Sequence, residues 1–334
     1  MIWMTWRQFR TQAWVTGGAI ALFGVALLIT GISISHAYTS LGVATCGSDC
    51  SSAVASFLNA ARGGLNGTVH DLAGVLVVLL PAVVGVFWGA PLVARELDSG
   101  TYRVAWSQSV PRGRWVAVKL GLVGAASAAA AGLLSWAVTQ WAHHVDAVDA
   151  GRIVPAYFSA RGVVPIAYAL FAFALGVTLG LVIRRTLPAM AATLVAYGAV
   201  LFAMTQWGRK LLLPPVELTR ALDVEHLNGI IVDPAANRLV VDANVDDLHG
   251  WVQSSKVLTA DGTLFSAPVG TTQCGRNTTF EACQQWLTSQ HLVQSVLYQP
   301  ESRFWSLQWI EAGVFVALAG ALAAFCVWRV RRIG

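Results

Sequence analysis

The sequence predicts a membrane protein built as an α-helical bundle of six transmembrane helices, with a mixed α/β extracytoplasmic domain between helices five and six. Of its 334 residues, 56% are hydrophobic and 12% are charged, whereas about 25% of the residues of an ordinary soluble protein are charged. The hydrophobic residues form long runs that alternate with polar stretches, which is typical of membrane-spanning segments. This composition excludes a soluble globular enzyme.

Six runs are long enough to cross a bilayer core of about 30 Å. They are Val15–Ser35, Leu72–Ala94, Val116–Ala142, Val163–Ile183, Leu187–Met204 and Ile310–Trp328. The first run is long for a signal peptide, and no clear cleavage site follows it. The chain is thus predicted to contain an interfacial segment at 1–14, spans one to five at 15–206 with a loop at 95–115, an extracytoplasmic domain at 207–309, and the sixth span with a basic tail at 310–334.

Basic residues near the span ends predict that both termini lie in the cytosol, because cytosolic loops are enriched in Lys and Arg. The cytosolic side then has twelve basic and two acidic residues, a net charge of +10, and the outer side has a net charge of −5. The twelve are Arg7, Arg10, Arg95, Arg103, Arg112, Arg114, Lys119, Arg184, Arg185, Arg329, Arg331 and Arg332. Arg209 and Lys210, predicted just outside the fifth span, oppose the rule locally.

Four cysteines fall on the predicted outer side, which is the oxidising side of a cell membrane. Cys46 and Cys50 lie in the first outer loop, and Cys274 and Cys283 lie in the large outer region. This placement favours two disulfides. A metal or redox site at Cys46 is an alternative, but no His stands beside it, and pairing across the two loops also remains open because connectivity cannot be read from sequence.

The first fourteen residues and the loop between spans two and three have distinctive compositions. Trp3, Trp6 and Trp14 with nearby arginines favour the headgroup zone, either as an anchor flanking the first span or as a separate surface helix. In the 95–115 loop, Gly100 predicts a helix that ends near Ser99, and a second helix is expected after Pro111.

The outer regions contain recognisable strand and helix signals. Strands are predicted at Ile230–Val232 and Leu239–Ala243, and a hairpin at Lys256–Phe265 turns at Asp261-Gly262. Thr278 with Glu281 predicts a capping box that opens a helix through about His291. In the first outer loop, His36–Asp71, a helix is expected around Ser51–Ala61.

Sequence motifs for catalysis and for ion coupling are absent. The chain has no G-x-x-x-x-G-K-[ST] phosphate loop, no H-E-x-x-H helix and no G-x-S-x-G elbow. His143 and His144, with Asp146 and Asp149 close by, are interpreted as a solvated outer loop rather than a metal site. No Asp, Glu, Arg or His lies in the middle of a predicted span, Lys119 is expected to snorkel from the inner end of span three, and Glu311 lies near the outer end of span six.

Small residues are concentrated in spans two, three and four. Gly85 and Gly89 form one GxxxG pair, and Gly176 and Gly180 form another. Such faces allow helices to approach closely, so we interpret them as packing sites within the bundle or as a dimer seam. Pro81 and Pro91 are expected to kink span two.

The loop and the span order resemble the permease subunit of ABC-type exporters, in the type 2 export-permease family. Residues 95–101 read Arg-Glu-Leu-Asp-Ser-Gly-Thr, which is similar to the R-E-x-x-x-G-T segment of that family, and residues 105–110 with the arginines after them are also similar. Residues 298–305, which lead into span six, resemble bacterial permeases with a large outer domain. Six spans with both ends inside match the family as well.

The resemblance implies a transport subunit that is not itself an enzyme. Two permease chains, a homodimer rather than a heterodimer, would form the pathway in a bacterial plasma membrane, in contact with lipid and without nucleic acid. Two cytosolic ATPase subunits would bind ATP and Mg, so this chain would hold no cofactor and no metal. The ATPase-coupling residues would be Arg95, Glu96, Gly100, Thr101, Arg103, Arg112 and Arg114.

A receptor or immunity protein is the alternative interpretation, with the ectodomain binding a ligand and the spans serving as an anchor. A partner ATPase that carries a phosphate loop distinguishes the two. The cargo is not specified by the sequence, although an uncharged pathway favours amphipathic drugs, lipids or hydrophobic peptides over small ions.

Overall fold

A computed structural model describes residues 2–47, 50–100, 111–233, 238–245, 248–268, 274 and 279–332. The chain divides into two compact units. The first comprises residues 1–212 and 305–334, and the second comprises residues 213–304.

The described residues of the first unit form helices joined by short connections. Its helices are α1 (Ile2–Ser40), α2 (Ser51–Arg62), α3 (Gly64–Val83), α4 (Ala90–Asp98), α5 (Arg112–Val148), α6 (Pro155–Phe158), α7 (Val164–Ile183), α8 (Thr186–Ala203), α9 (Arg209–Leu212) and α11 (Phe304–Arg332). A π-helical segment, Val84–Gly89, joins α3 to α4, and a second one, Met204–Gly208, joins α8 to α9. Pro81 lies inside α3 just before the first of these segments.

Six helices of the described residues are long and apolar enough to span a membrane. They are Phe9–Ser40, Gly64–Asp98, Arg112–Val148, Val164–Ile183, Thr186–Leu212 and Glu301–Arg332, and they are called spans one to six below. Each of the six predicted runs lies within or almost within one of them. The helices are generally longer than the apolar runs, because polar residues at the ends continue the backbone hydrogen bonding beyond about 20 residues, which suffice to cross the apolar core.

The N-terminal segment is part of the first span's helix. Residues 2–14 continue without a break into α1, which ends at Ser40. This continuity favours the anchor that flanks the first span over a separate surface helix. The predicted helix in the first outer loop is present as α2.

Spans two and four touch through their backbones at four glycines. A Cβ atom on Gly176 would lie 2.2 Å from the carbonyl oxygen of Gly85, and a Cβ on Gly89 would lie 2.6 Å from that of Phe173. A Cβ on Gly180 would lie 2.5 Å from the carbonyl oxygen of Ala90. The two GxxxG pairs therefore pack against each other within one chain.

Span four is the most enclosed of the six. Its most apolar stretch is 67% buried inside the chain, against 17% for spans one and five and 22% for span six. Spans one and five, which lie at the periphery of the bundle, expose large apolar side chains such as Leu22, Val195 and Leu211. Exposed apolar surface of this kind suits contact with lipid chains.

The described residues of the second unit form two antiparallel sheets, one α-helix and a short 3-10 helix at Glu301–Arg303. The strands are β1 (Val216–Ala221), β2 (Leu227–Asp233), β3 (Arg238–Ala243), β4 (Gly250–Leu258), β5 (Ala267–Pro268) and β6 (Val293–Pro300), and the helix is α10 (Phe280–Ser289). One sheet has the order β1-β6-β4, and the other has the order β2-β3-β5. Its apolar core includes Leu239, Val257 and Leu287. Strands predicted at Ile230–Val232 and Leu239–Ala243 are thus confirmed.

Two local predictions in the second unit have different outcomes. The predicted hairpin is present: the chain turns at Gly262, where φ is +79°, Leu258 and Leu264 form an antiparallel bridge, and the Phe265 amide donates to the Val257 carbonyl at 2.9 Å. Its second strand is short, and its first strand is the end of β4, which also pairs with β6. The N-cap of α10 is Thr279, whose side chain accepts a hydrogen bond from the Ala282 amide, whereas Thr278 lies outside the described residues.

The glycine contact predicts a sharp difference between two glycine-to-alanine substitutions. Gly176→Ala should destabilise the bundle by about 1–3 kcal/mol, because one added methyl group forces spans two and four apart. Gly320→Ala in span six should have no such effect, because a Cβ there meets nothing within 4 Å. The apparent melting temperatures of the two variants in detergent measure these effects on stability. Equal temperatures for the two variants would contradict the contact.

Candidate functional site

The loop between spans two and three begins and ends at rigid helix termini. The Ser99 amide and its hydroxyl both donate to the Arg95 carbonyl, at 3.0 and 2.8 Å, and Gly100 has φ of +72°. The next helix begins at Arg112, with Pro111 as its N-cap. Both predicted helix boundaries are therefore confirmed. Arg95 and Arg114 are exposed, and Arg112 is half-buried.

Two residues of the predicted coupling set, Thr101 and Arg103, lie outside the described residues.

Glu96 forms a desolvated ion pair with Lys119 of span three. The Lys119 Nζ lies 2.5 Å from a Glu96 carboxylate oxygen, with the two side chains only 5% and 15% exposed. The same ammonium group donates to the Leu92 carbonyl at 3.4 Å and lies 4.6 Å from the centre of the Trp115 ring. The expectation that Lys119 snorkels to water is therefore wrong, since it turns toward span two. The pair joins the two helices that flank the loop.

An apolar cluster fixes the helices around this ion pair. Trp115 and Val116 at the start of span three pack in one buried cluster with Cys326 and Val330 of span six. Phe9 of the first span belongs to it through an edge-on contact with Trp88, at 4.6 Å between ring centres. Spans one, two, three and six thus meet beneath the loop.

A second desolvated ion pair lies at the opposite end of the bundle. Arg209 binds Glu311 through two hydrogen bonds of 2.9 and 3.0 Å, and both side chains are completely buried. The prediction that Arg209 lies outside the fifth span is wrong, because that helix extends to Leu212. A π-helical turn adds a residue and so rotates the residues that follow it. The segment Met204–Gly208 immediately precedes Arg209, which projects into the bundle.

The remaining hydrogen-bonding capacity of this pair is also satisfied. Arg209 donates to the Ser159 hydroxyl at 2.8 Å and stacks over the Phe158 ring at 4.4 Å. The Tyr168 hydroxyl of span four donates to Glu311 and lies 3.3 Å from Arg209. Buried charges are stabilising only when hydrogen bonds complete their shells. This cluster joins spans four, five and six to the segment before span four.

Gln308 fixes that segment from span six. Its Oε1 atom accepts from the amides of Val163 and Val164, both at 3.0 Å, and its Nε2 atom donates to the Phe158 carbonyl at 3.0 Å. Gly162 has φ of +65°, and a Cβ there would lie 2.8 Å from Gln308 Oε1. Glycine is therefore required where the chain enters span four.

The histidine-rich segment at the end of span three is structural. His143, His144 and Asp146 lie in the last turns of α5, so their placement in a solvated loop is wrong. Asp146 pairs with Arg161 at 3.1 Å, and the His144 ring stacks on Tyr38 at 4.7 Å between centres. Asp149, the last of the four predicted residues, pairs with Arg62 of α2. Among the described residues, no group of three or more His, Cys, Asp or Glu side chains could hold a metal ion.

The four cysteines that are predicted to lie on the outer side are at disulfide distance in two local pairs. Cys46 and Cys50 have Cα atoms 5.9 Å apart, and Cys274 and Cys283 have Cα atoms 4.7 Å apart. The structure therefore pairs cysteines that are close in sequence rather than across the two regions. Cys326 is free and buried, with its sulfur 3.2 Å from the Thr178 hydroxyl.

An open apolar groove of about 450 Å³ runs along span five. Its walls are Val78 of span two, the 155–159 segment and Gly198, Leu201 and Phe202 of span five. Only the hydroxyls of Ser159 and Thr205 give it polar side-chain atoms. The groove suits an apolar or amphipathic molecule rather than an ion.

The buried cluster at Arg209 predicts different effects for two tyrosine substitutions. Tyr168→Phe removes the hydroxyl bound to Glu311 and should lower stability by about 1–3 kcal/mol. Tyr197→Phe in span five is the matched control, because its buried hydroxyl has no hydrogen-bond partner among the described residues. Thermal unfolding in detergent should show a lower melting temperature for the first variant alone, and a loss for Tyr197→Phe as large as for Tyr168→Phe would refute the assignment.

Comparison with known families gives one match. The family described as ABC-2 membrane transporter related matches residues 17–209, which is more than half of the chain and reaches from span one to span five. No curated protein and no solved structure matches the chain. The chain therefore belongs to the ABC-2 membrane transporter related family and is a multi-pass membrane protein with a permease-like role in transport.

Proposed function

We propose that this chain is the membrane-spanning permease subunit of an ATP-driven ABC exporter. The family match over residues 17–209 is the observation that carries the proposal. Membership of this family implies association with an ABC ATPase. The sequence has no phosphate loop of its own, so ATP and Mg would be bound by a separate cytosolic chain.

Both termini lie in the cytosol of a bacterial cell in this proposal. The charge asymmetry of +10 against −5 supports the orientation. The two cysteine pairs at disulfide distance then fall on the outer side, where disulfides persist.

In this proposal, ATP binding by the partner ATPase displaces the 95–115 loop. Arg95 and Arg114 are exposed and available to an acidic surface of the ATPase. Glu96 instead acts within the chain, because its carboxylate is engaged by Lys119. A displacement of the loop therefore moves the ends of spans two and three together.

The glycine contact carries this movement onward to span four. No side chain separates Gly85 from Gly176. Because the two backbones are in direct contact, a displacement of span two also displaces span four. Span four in turn holds Tyr168 in the buried cluster at the opposite end. Rearrangement there opens the pathway outward.

Two copies of the chain form the pathway as a homodimer, and the cargo is amphipathic. The apolar groove along span five supports a cargo with a large apolar part, such as a drug, a lipid or a hydrophobic peptide. Co-purification with the partner ATPase, followed by a screen for compounds that stimulate ATP hydrolysis, tests the assignment. Absence of any associated ATPase would contradict it.

The ion pair at the loop predicts a loss of coupling when Glu96 is neutralised. Glu96→Gln leaves the Lys119 charge buried without a counter-charge, which costs about 3–5 kcal/mol. We expect cargo-stimulated ATP hydrolysis by the purified complex to fall at least about threefold. The double variant Glu96→Gln/Lys119→Met removes both charges and should recover most of the stability, because apolar replacement of a buried pair is often neutral.

The matched control removes an ion pair that lies elsewhere in the chain, outside the 95–115 loop. Asp149→Asn removes the partner of Arg62, and these side chains are 35% and 55% exposed. Exposed pairs contribute about 0–1 kcal/mol, so stimulated hydrolysis should be unchanged. Unchanged stimulation in Glu96→Gln, with the complex intact, would refute the coupling role.

A further inference from the structure

A basic groove of about 450 Å³ lies between the start of span three and the end of span six. Arg112 and Arg114 line it from span three, and Arg331 lines it from span six. The described residues that line it include no Asp or Glu. Three guanidinium groups around one opening favour an occupant that carries negative charge.

Gly113 brings these charges together. A Cβ on Gly113 would lie 2.9 Å from the Nε atom of Arg331 and 3.5 Å from its Cγ atom. The Arg331 side chain therefore lies across the first turn of span three, and a larger residue at position 113 would have to displace it. Val330, beside it, is completely buried and fixes this end of span six.

The groove becomes apolar with depth along the axes of the two helices. Ala117 lies four residues beyond Gly113 on span three, and Val327 lies four residues before Arg331 on span six, and both line the groove. Four residues are about one helical turn, so this apolar pair lies about 5–6 Å deeper than the charged groups. An occupant thus meets cations at the membrane surface and apolar side chains below it.

We propose that this groove binds one anionic phospholipid. The phosphate would contact Arg112 and Arg331, with the exposed Arg114 at the rim, and the first carbons of an acyl chain would lie along Ala117 and Val327. Basic pockets between transmembrane helices near the membrane surface bind such headgroups. The inference goes beyond the transport role and depends only on these helices spanning a bilayer.

Native mass spectrometry of the full-length chain in neutral detergent tests the proposal. The probes are phosphatidylglycerol and phosphatidylcholine with the same acyl chains, and inorganic phosphate as competitor. We expect one phosphatidylglycerol retained per chain, little phosphatidylcholine, and no displacement by phosphate at equal concentration. Equal retention of the two lipids would overturn the proposal, and displacement by phosphate would assign the groove to a free anion instead.

Substitutions on one helix identify the groove as the binding site. Arg331→Gln should lower phosphatidylglycerol retention about fivefold, since each arginine near an anionic headgroup contributes about 1 kcal/mol, a factor of about five. Arg329→Gln removes an equal charge from the same exposed helix end outside the groove and should change retention less than about twofold. Equal losses in the two variants would overturn the proposal.

Gly113→Ala tests the geometry with every charge retained. The added methyl group displaces the Arg331 side chain, so retention of phosphatidylglycerol should fall although the net charge is unchanged. A monodisperse gel-filtration profile shows that the variant is folded. Full retention in a folded Gly113→Ala variant would show that charge alone attracts the lipid, and the groove would not be its site.

Discussion

Direct backbone contact between spans two and four is the constraint on which the helical unit depends. In a bilayer the lipid chains are as apolar as the helix surfaces, so helices associate where they pack most closely. Four glycines provide that closeness, and a Cβ on Gly176 would lie within 2.2 Å of the Gly85 carbonyl oxygen. The π-helical segment Val84–Gly89 lies at this contact. Because span four is enclosed by its neighbours, the positions of the other spans follow from the contact.

Charged groups reinforce the bundle at its two ends and leave its middle apolar. At the loop end, Lys119 and Glu96 join spans two and three, and at the other end Arg209 and Glu311 join spans five and six. Each charge has further hydrogen bonds or a ring contact, which offsets part of the cost of removing it from water. Rigid ends of this kind favour movement of helices as whole units rather than local bending.

Local signals were sufficient to predict the helices and several strands, whereas long-range partners were not. Gly100 and Pro111 mark helix boundaries because their backbone preferences act at the residue itself. Arg209 and Glu311 are 102 residues apart, and no local pattern indicates that a π-helical turn directs the arginine inward. The pairing of β4 with β6 was missed for the same reason, because the two strands are far apart in the sequence, whereas the Gly262 turn correctly predicts the local hairpin.

The buried carboxylates also bear on the energy source. A proton-driven transporter needs an acidic group that releases its proton as the protein changes state. Glu311 is held by both hydrogen bonds from Arg209 and a third from Tyr168, and Glu96 is held by Lys119. Each carboxylate is the counter-charge of a buried cation, and removing one partner of such a pair is strongly destabilising. These groups therefore act as structural charges within the bundle, which is consistent with the proposal that the energy for transport enters through the 95–115 loop.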